Sequence, residues 1–86
     1  MSELSKLPNV GKVLERNLNA IGITTPEQLR ATGAKEVFMN IRSEVDPGAC
    51  LHMLYGIQGA VDGVPYTRLP EETTRDLQDF FNSIQD

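Results

Sequence analysis

The sequence predicts a compact all-α domain built from five short helices. Three observations lead to this prediction: apolar residues recur at helical spacing in five segments, glycine or proline separates the segments, and no stretch of useful length alternates like a β-strand. The chain has 86 residues, of which 40% are hydrophobic and 23% are charged. This is the size and composition of one soluble globular domain, which we expect to cover residues 1–86. Short links then pack the helices against one another.

The five helices are separated by residues that start or stop helices. Gly22 fits the left-handed position that follows the first helix. Thr25 and Pro26 suit the N-cap and the first position of the second helix, which ends at Gly33. The Asp-Pro-Gly turn at 46–48 breaks the chain before the fourth helix. The predicted helices cover, in order, about 10–21, 26–32, 34–44, 49–62 and 70–84.

The fourth helix is apolar on nearly all sides, which is typical of a central helix wrapped by others. Its small residues Gly56, Gly59 and Ala60 are expected to let neighbouring helices come close, although a glycine inside a helix costs roughly 1 kcal/mol. Gly63 is expected to close this helix. In the first helix Val13 shares the apolar face. The predicted core consists of inward-facing apolar residues from all five helices: Leu14, Leu18, Ile21, Leu29, Phe38, Ile41, Leu54, Ile57, Val61, Leu77, Phe80 and Phe81.

Charge is distributed unevenly along the chain. The net charge of −4 argues against a general nucleic-acid binder, because such proteins tend to be basic. Residues 1–20 carry three cations and two carboxylates, or +1, whereas residues 70–86 carry one cation and five carboxylates, or −4. Any contact with phosphate is therefore expected away from the acidic last helix.

Few side chains in the sequence could carry chemistry. With one histidine and one cysteine, the chain offers too few ligands for the usual metal sites. His52 and Cys50 lie two apart on a predicted helix and diverge, so they do not form a nucleophile–base pair. We expect His52 to be structural or exposed and Cys50 to be a small apolar filler. The glycines do not form a phosphate loop. The sequence thus predicts a non-catalytic module with no cofactor and no metal.

The cellular compartment is indicated by features that the sequence lacks. Cys50 has no partner for an internal disulfide, which suits a reducing compartment. No apolar run approaches the length of a membrane span, and the first residues show no apolar segment of a signal peptide. We therefore expect a cytoplasmic protein that does not associate with membranes.

The stretch "LPNVGKVLERNL", residues 7–18, has the pattern of a helix-hairpin-helix element. Such a turn presents backbone N–H groups at the start of a helix, where the dipole also favours an anion. Asn9 stands where the usual pattern has its first glycine. Asparagine tolerates the left-handed conformation, but its side chain is expected to crowd an approaching backbone. The candidate nucleic-acid-binding residues are Lys6, Asn9, Val10, Gly11, Lys12 and Arg16.

A purely structural interpretation of the same stretch stays open. Leu7 and Val10 would pin the N-terminus to the core, while Pro8 and Asn9 start a helix. The preceding segment "SELSK" is too short to supply a full first helix of the hairpin.

The chain as a whole resembles a known family. "LPNVG", "GITTPEQL", "LHMLYGIQGAVDG" and the "LP" before the final helix, in this order and spacing, are similar to the C-terminal domain of the TfoX/Sxy competence regulators over about residues 4 to 82. The resemblance implies a SAM-like, helix-hairpin-helix-like five-helix arrangement. Larger members of the family add an N-terminal α/β domain and activate DNA-uptake genes together with a cyclic-AMP-responsive transcription factor. This chain resembles a stand-alone C-terminal domain, and the family supplies no catalytic residues to carry over.

Two functional hypotheses follow. In the first, the chain is a binding module of competence regulation. Its protein partner is either transcription machinery or a protein like the TfoX N-terminal domain, and it also contacts DNA weakly at the N-terminal turn. In the second, it is a protein-interaction or dimerisation module without DNA contact. The acidic last helix and an exposed apolar patch would then form the interface, and a homo-oligomer would be one outcome.

Overall fold

Five α-helices and two short 3₁₀ helices make up the part of the chain that the computed structural model describes, residues 3–85. The first 3₁₀ helix covers Glu3–Lys6 and the second covers Tyr66–Arg68, and residues 3–85 contain no strand. The α-helices, numbered α1 to α5, cover Lys12–Ala20, Pro26–Thr32, Ala34–Glu44, Leu51–Asp62 and Glu71–Ser83. The predicted all-α, five-helix fold is confirmed. None of the described helices is long and apolar enough to cross a membrane.

The predicted bounds of α2 and α3 are confirmed, and the capping residues behave as their chemistry requires. The Thr25 hydroxyl accepts a hydrogen bond from Gln28 N at 3.1 Å, and the Gln28 side chain accepts from Thr25 N at 3.2 Å, which completes a capping box at the start of α2. Gly22 has a φ of +88° after α1, and Gly63 closes α4 in the left-handed conformation. Helices α1 and α4 each begin two residues later than predicted, at Lys12 and Leu51.

Helix α4 lies at the centre of the fold, in contact with α2, α3, α5 and the second 3₁₀ helix. This position explains why α4 is apolar on most of its circumference. Of the predicted core residues, Leu18, Leu29, Phe38, Ile41, Leu54, Ile57 and Leu77 are buried. The others are half-buried and pack against the same cluster: Leu14, Ile21, Val61, Phe80 and Phe81.

The core also contains residues that the helical patterns missed. Leu4 is fully buried, as the one buried side chain of the first 3₁₀ helix. Ile23 and Leu69 are buried in the links that follow α1 and the second 3₁₀ helix. Each is a single anchor in a short segment, where no period exists to reveal which side faces inward.

Truncating Leu4 is expected to destabilise the domain. Leu4→Ala removes a fully buried side chain from the core, which costs about 2–5 kcal/mol in general. Urea unfolding followed by circular dichroism measures the loss. Val13→Ala, at a valine of α1 with 64% of its surface exposed, is the control and should change the free energy of unfolding by less than about 0.5 kcal/mol. Equal stability of the Leu4→Ala variant and the parent would show that residues 3–6 do not dock in solution.

Candidate nucleic-acid interface at the N-terminal turn

The N-terminal turn, residues 7–11, connects the first 3₁₀ helix to α1. Leu7 N donates to Leu4 O at 3.0 Å and Val10 N donates to Leu7 O at 3.3 Å, which folds the segment back on itself. Asn9 has a φ of +70°, the one positive φ among the described residues other than glycine. The turn therefore forms with asparagine in the left-handed region, where this residue is better tolerated than most.

The side chain of Asn9 points into the protein. Its Nδ2 donates to Gly56 O at 3.3 Å and to Val64 O at 3.0 Å. Its Oδ1 accepts from Tyr66 N at 3.0 Å. The expectation that this side chain would crowd an approaching backbone is therefore wrong, because the whole amide is engaged with α4 and the link that follows it.

Glycine in α4 makes this inward contact possible. A Cβ atom on Gly59 would lie 2.6 Å from Val64 O and would also collide with the Asn9 amide nitrogen. A Cβ on Gly56 would meet only Asn9 Cβ, at an ordinary 3.7 Å. The sequence predicted that these glycines admit neighbouring helices. The neighbours they admit are instead the N-terminal turn and the link after α4.

The start of α1 has no internal partner for its first amide groups. Gly11 is the N-cap residue, with extended backbone and no side chain that could cap the helix. The N–H groups of residues 9 and 11–14 donate to no acceptor within residues 3–85, and the first helical hydrogen bond runs from Glu15 N to Gly11 O. Gly11, Lys12 and Val13 are exposed. Unpaired N–H groups at the positive end of a helix dipole are a favourable place for an anion.

Three cations surround this turn in the sequence, and all three are exposed. Lys6 ends the first 3₁₀ helix, and Lys12 and Arg16 lie in the first half of α1. None of them forms an ion pair within the described residues, where the ion pairs are Lys35–Asp76 and Arg75–Glu71. Their charges are therefore not neutralised by a carboxylate at close range.

An open apolar groove of about 480 Å³ lies beside the turn. Val13 forms one edge with 64% of its surface exposed, although the sequence placed it on the apolar face of the first helix. Tyr66, 36% exposed, packs against the His52 ring with centroids 4.6 Å apart. Among residues 3–85, no carboxylate lines the groove. Its walls are formed by Asn9, Gly11, Lys12, Val13, Leu14, Cys50, His52, Met53, Gly56 and Tyr66.

Cys50 occupies a different environment from the one predicted. Its side chain is exposed at the N-cap of α4 and lines the groove, so it is not an apolar filler. His52 is exposed, in agreement with the sequence. Within residues 3–85 no three side chains of His, Cys, Asp or Glu lie together as metal ligands would.

The structure brings some of the candidate binding residues together and separates others. Asn9, Gly11 and Lys12 share the groove, with Asn9 offering only its backbone outward. The Val10 side chain is buried and its N–H is used within the turn. Lys6 and Arg16 are exposed outside the groove lining. The sequence interpretation missed Met53 and Tyr66 as neighbours of the turn, because only tertiary packing brings α4 and its following link to it.

These features define a small all-α domain with a helix-hairpin-helix-like turn at its N-terminus and an apolar groove beside it. The chain belongs to the TfoX C-terminal domain family, whose family model matches residues 1–81. The resemblance inferred from the sequence is thus confirmed. No curated protein matches the chain.

Two solved structures are similar to this chain over nearly its whole length. The triclinic crystal form of an uncharacterized protein from Listeria monocytogenes is 42% identical, with a TM-score of 0.91 over 94% of this chain and 91% of that chain. The tetragonal form of a protein of unknown function from Listeria monocytogenes is 41% identical, with a TM-score of 0.91 over 95% of this chain and 99% of that chain. Both support the fold.

Proposed function

We propose that this domain is a non-catalytic binding module of the TfoX type that contacts the DNA backbone through its N-terminal turn, in the regulation of competence genes. The observation that carries the proposal is the set of unpaired N–H groups at residues 11–14, next to Lys6, Lys12 and Arg16. Family membership supports the competence role, and this geometry supports the DNA contact.

The chemistry of the turn suits a phosphate group. Backbone N–H groups at a helix start and nearby lysine or arginine side chains are the donors that position proteins on a phosphate backbone. Because the Asn9 side chain faces inward, it does not stand between a phosphate and the backbone amides of the turn. Apart from Gly11 and its two chain neighbours, no atom of the described residues lies within 4 Å of the place where a Gly11 side chain would begin, which leaves room for a phosphate.

The acidic helix α5 limits how DNA can bind. Glu72 and Asp79 form no ion pair within the described residues and repel a phosphate backbone, whereas Glu71 and Asp76 are paired with Arg75 and Lys35. DNA therefore approaches from the side of the N-terminal turn. With at most three cations involved, the contact is weak and independent of sequence. If all three neutralise phosphates, raising salt from 50 to 200 mM lowers affinity about 40-fold.

Titration of a fluorescently labelled duplex at low salt tests the proposal. Lys12→Glu should weaken binding about tenfold, because it replaces an attraction to phosphate by a repulsion. Arg30→Glu is the matched control: Arg30 is an exposed cation of α2 without an ion pair in the described structure, and its reversal should have a much smaller effect. Absence of binding by the parent protein, or equal binding by Lys12→Glu, would exclude the proposal.

A second variant tests the backbone contact without changing charge. Gly11→Ala adds one methyl group in open space at an ordinary backbone conformation. The protein should stay folded, since alanine in place of glycine at an N-cap costs about 1 kcal/mol or less, or a fall of about 5 °C or less in the thermal midpoint. The methyl group should nevertheless keep a phosphate away from the amides, so duplex binding by the folded variant weakens several-fold. Unchanged affinity would place the phosphate elsewhere.

A protein partner is the second candidate, favoured by the exposure of Val13 beside the groove. An exposed apolar side chain at the edge of an apolar groove is typical of a contact surface. Light scattering over a range of concentrations detects self-association. A dimer that Val13→Asp dissociates would support this function, and a monomer at all concentrations would restrict it to a different protein.

A further inference from the structure

We propose that the groove beside the turn binds an unpaired nucleotide base, so that the domain prefers single-stranded DNA to duplex. This inference rests on the proposed phosphate contact. It adds a second contact, between the groove and the base of the same nucleotide. It assigns the groove an occupant with an apolar face and an attached anion.

The groove and the phosphate-binding amides belong to the same surface. Gly11 and Lys12, which would hold the phosphate, also line the groove. A nucleotide whose phosphate lies on these residues therefore has its base directly over the groove. The volume of about 480 Å³ is within the range of roughly 300–1,000 Å³ found for pockets that take small organic ligands.

The lining of the groove suits a base better than a second phosphate. Val13, Met53 and Tyr66 present apolar and aromatic surface, and the His52 ring packs against Tyr66 at an interplanar angle of 64°. Bases stack on aromatic side chains with little dependence on their identity. Sulfur of methionine also contacts aromatic rings favourably. The interior of the groove therefore offers contacts to a flat ring.

Charge at the groove is complementary to a nucleotide. In the part of the chain that the structure describes, Lys12 is the one charged side chain of the lining, which contains no carboxylate. The groove thus attracts an anion at one edge and an apolar ring at its centre.

Duplex DNA cannot use both parts of this surface. Its bases are stacked and paired in the interior, and taking one out costs free energy that a single strand does not require. A duplex can therefore contact only the amides and the cations, whereas a single strand also places a base in the groove.

A self-associating second copy is a poorer occupant, because the ten residues of the lining fall short of the roughly 20–30 residues per side of a stable interface.

The experiment compares three fluorescently labelled probes with the full chain at low salt: an oligothymidylate of about 12 nucleotides, an abasic strand with the same number of phosphates, and a duplex of equal length. We expect the oligothymidylate to bind about tenfold more tightly than the other two. Val13→Ser should remove most of this difference. Val45→Ser, at a second exposed valine, is the matched control and should leave it unchanged.

Variants of Tyr66 distinguish a base from other apolar occupants. Tyr66→Phe should keep the preference for the oligothymidylate, and Tyr66→Leu, which is apolar but has no ring, should reduce it. Thermal unfolding of each variant identifies any loss of fold, and the exposed Val13 provides a test that does not depend on Tyr66.

The outcomes separate this inference from the phosphate contact. Equal binding of the oligothymidylate and the abasic strand overturns the base site and leaves the phosphate contact standing. Full retention of the preference in Tyr66→Leu and Val13→Ser also overturns it, since the base would then lie elsewhere. Binding of none of the three probes overturns both proposals together.

Discussion

Replacing Gly59 by alanine is expected to lower the free energy of unfolding by about 2 kcal/mol. The added Cβ would lie 2.6 Å from Val64 O and 3.3 Å from Tyr66 N, and it would collide with the Asn9 amide. Two of these three neighbours are backbone atoms, which cannot rotate away. Overpacking of this kind costs about 1–3 kcal/mol or more, and the better helix propensity of alanine returns only about 1 kcal/mol. For a chain of this size the thermal midpoint should fall by about 10 °C.

Gly56→Ala is the matched control for this prediction. Gly56 lies in the same helix, is also buried and also faces Asn9, but its added Cβ would make only an ordinary contact at 3.7 Å. We expect this variant to be as stable as the parent or more stable by up to about 1 kcal/mol. Urea unfolding of both variants is the measurement. Equal effects of the two substitutions would mean that the turn does not approach α4 as closely as described.

Replacing Asn9 by alanine is expected to have a larger effect, about 4–5 kcal/mol. The substitution removes the hydrogen bonds to Val64 O, Gly56 O and Tyr66 N. Each such bond contributes about 1 kcal/mol on balance. Alanine must also adopt the left-handed conformation at a φ of +70°, which costs about 1–2 kcal/mol for a residue with a Cβ.

Two further substitutions separate these contributions. Glycine adopts the left-handed conformation without strain, so Asn9→Gly removes only the hydrogen bonds. It should therefore lower the free energy of unfolding by less than Asn9→Ala does. Asn9→Asp keeps an acceptor for Tyr66 N but points a carboxylate at two carbonyl oxygens, and it should therefore destabilise although it is nearly isosteric. Urea unfolding ranks the three variants. If Asn9→Asp proves as stable as the parent, the amide does not face these carbonyls.

The helices could be predicted from the sequence because their boundaries are set locally. Thr25, Pro26 and Gly33 act within a few residues of where they stand, and the structure has α2 at the predicted positions. Leu4 and the second 3₁₀ helix could not be predicted in this way, since each depends on a single anchor or turn without a repeating pattern. The apolar face of α1 was predicted too wide, because Val13 lies at its edge and faces the groove.

The candidate interface could be predicted only in part. The cations Lys6, Lys12 and Arg16 and the turn itself are visible in the sequence, since they are close together along the chain. The direction of the Asn9 side chain is not visible, because its hydrogen-bond partners lie 47 to 57 residues away. The groove is not visible in the sequence for the same reason, since Met53 and Tyr66 reach the turn only when α4 packs beneath it.

The hydrogen bonds of Asn9 also determine when the turn becomes available during synthesis. The residues of α1 leave the ribosome early, but a helix of nine residues is only marginally stable by itself. The hydrogen bonds that hold the turn also require Val64 and Tyr66, which leave the ribosome much later. A growing chain therefore presents Lys6 and Lys12 without a fixed backbone geometry between them. The turn can take its final geometry only after Tyr66 has left the ribosome, and an N-terminal fragment that ends before α4 lacks the hydrogen-bond partners of Asn9.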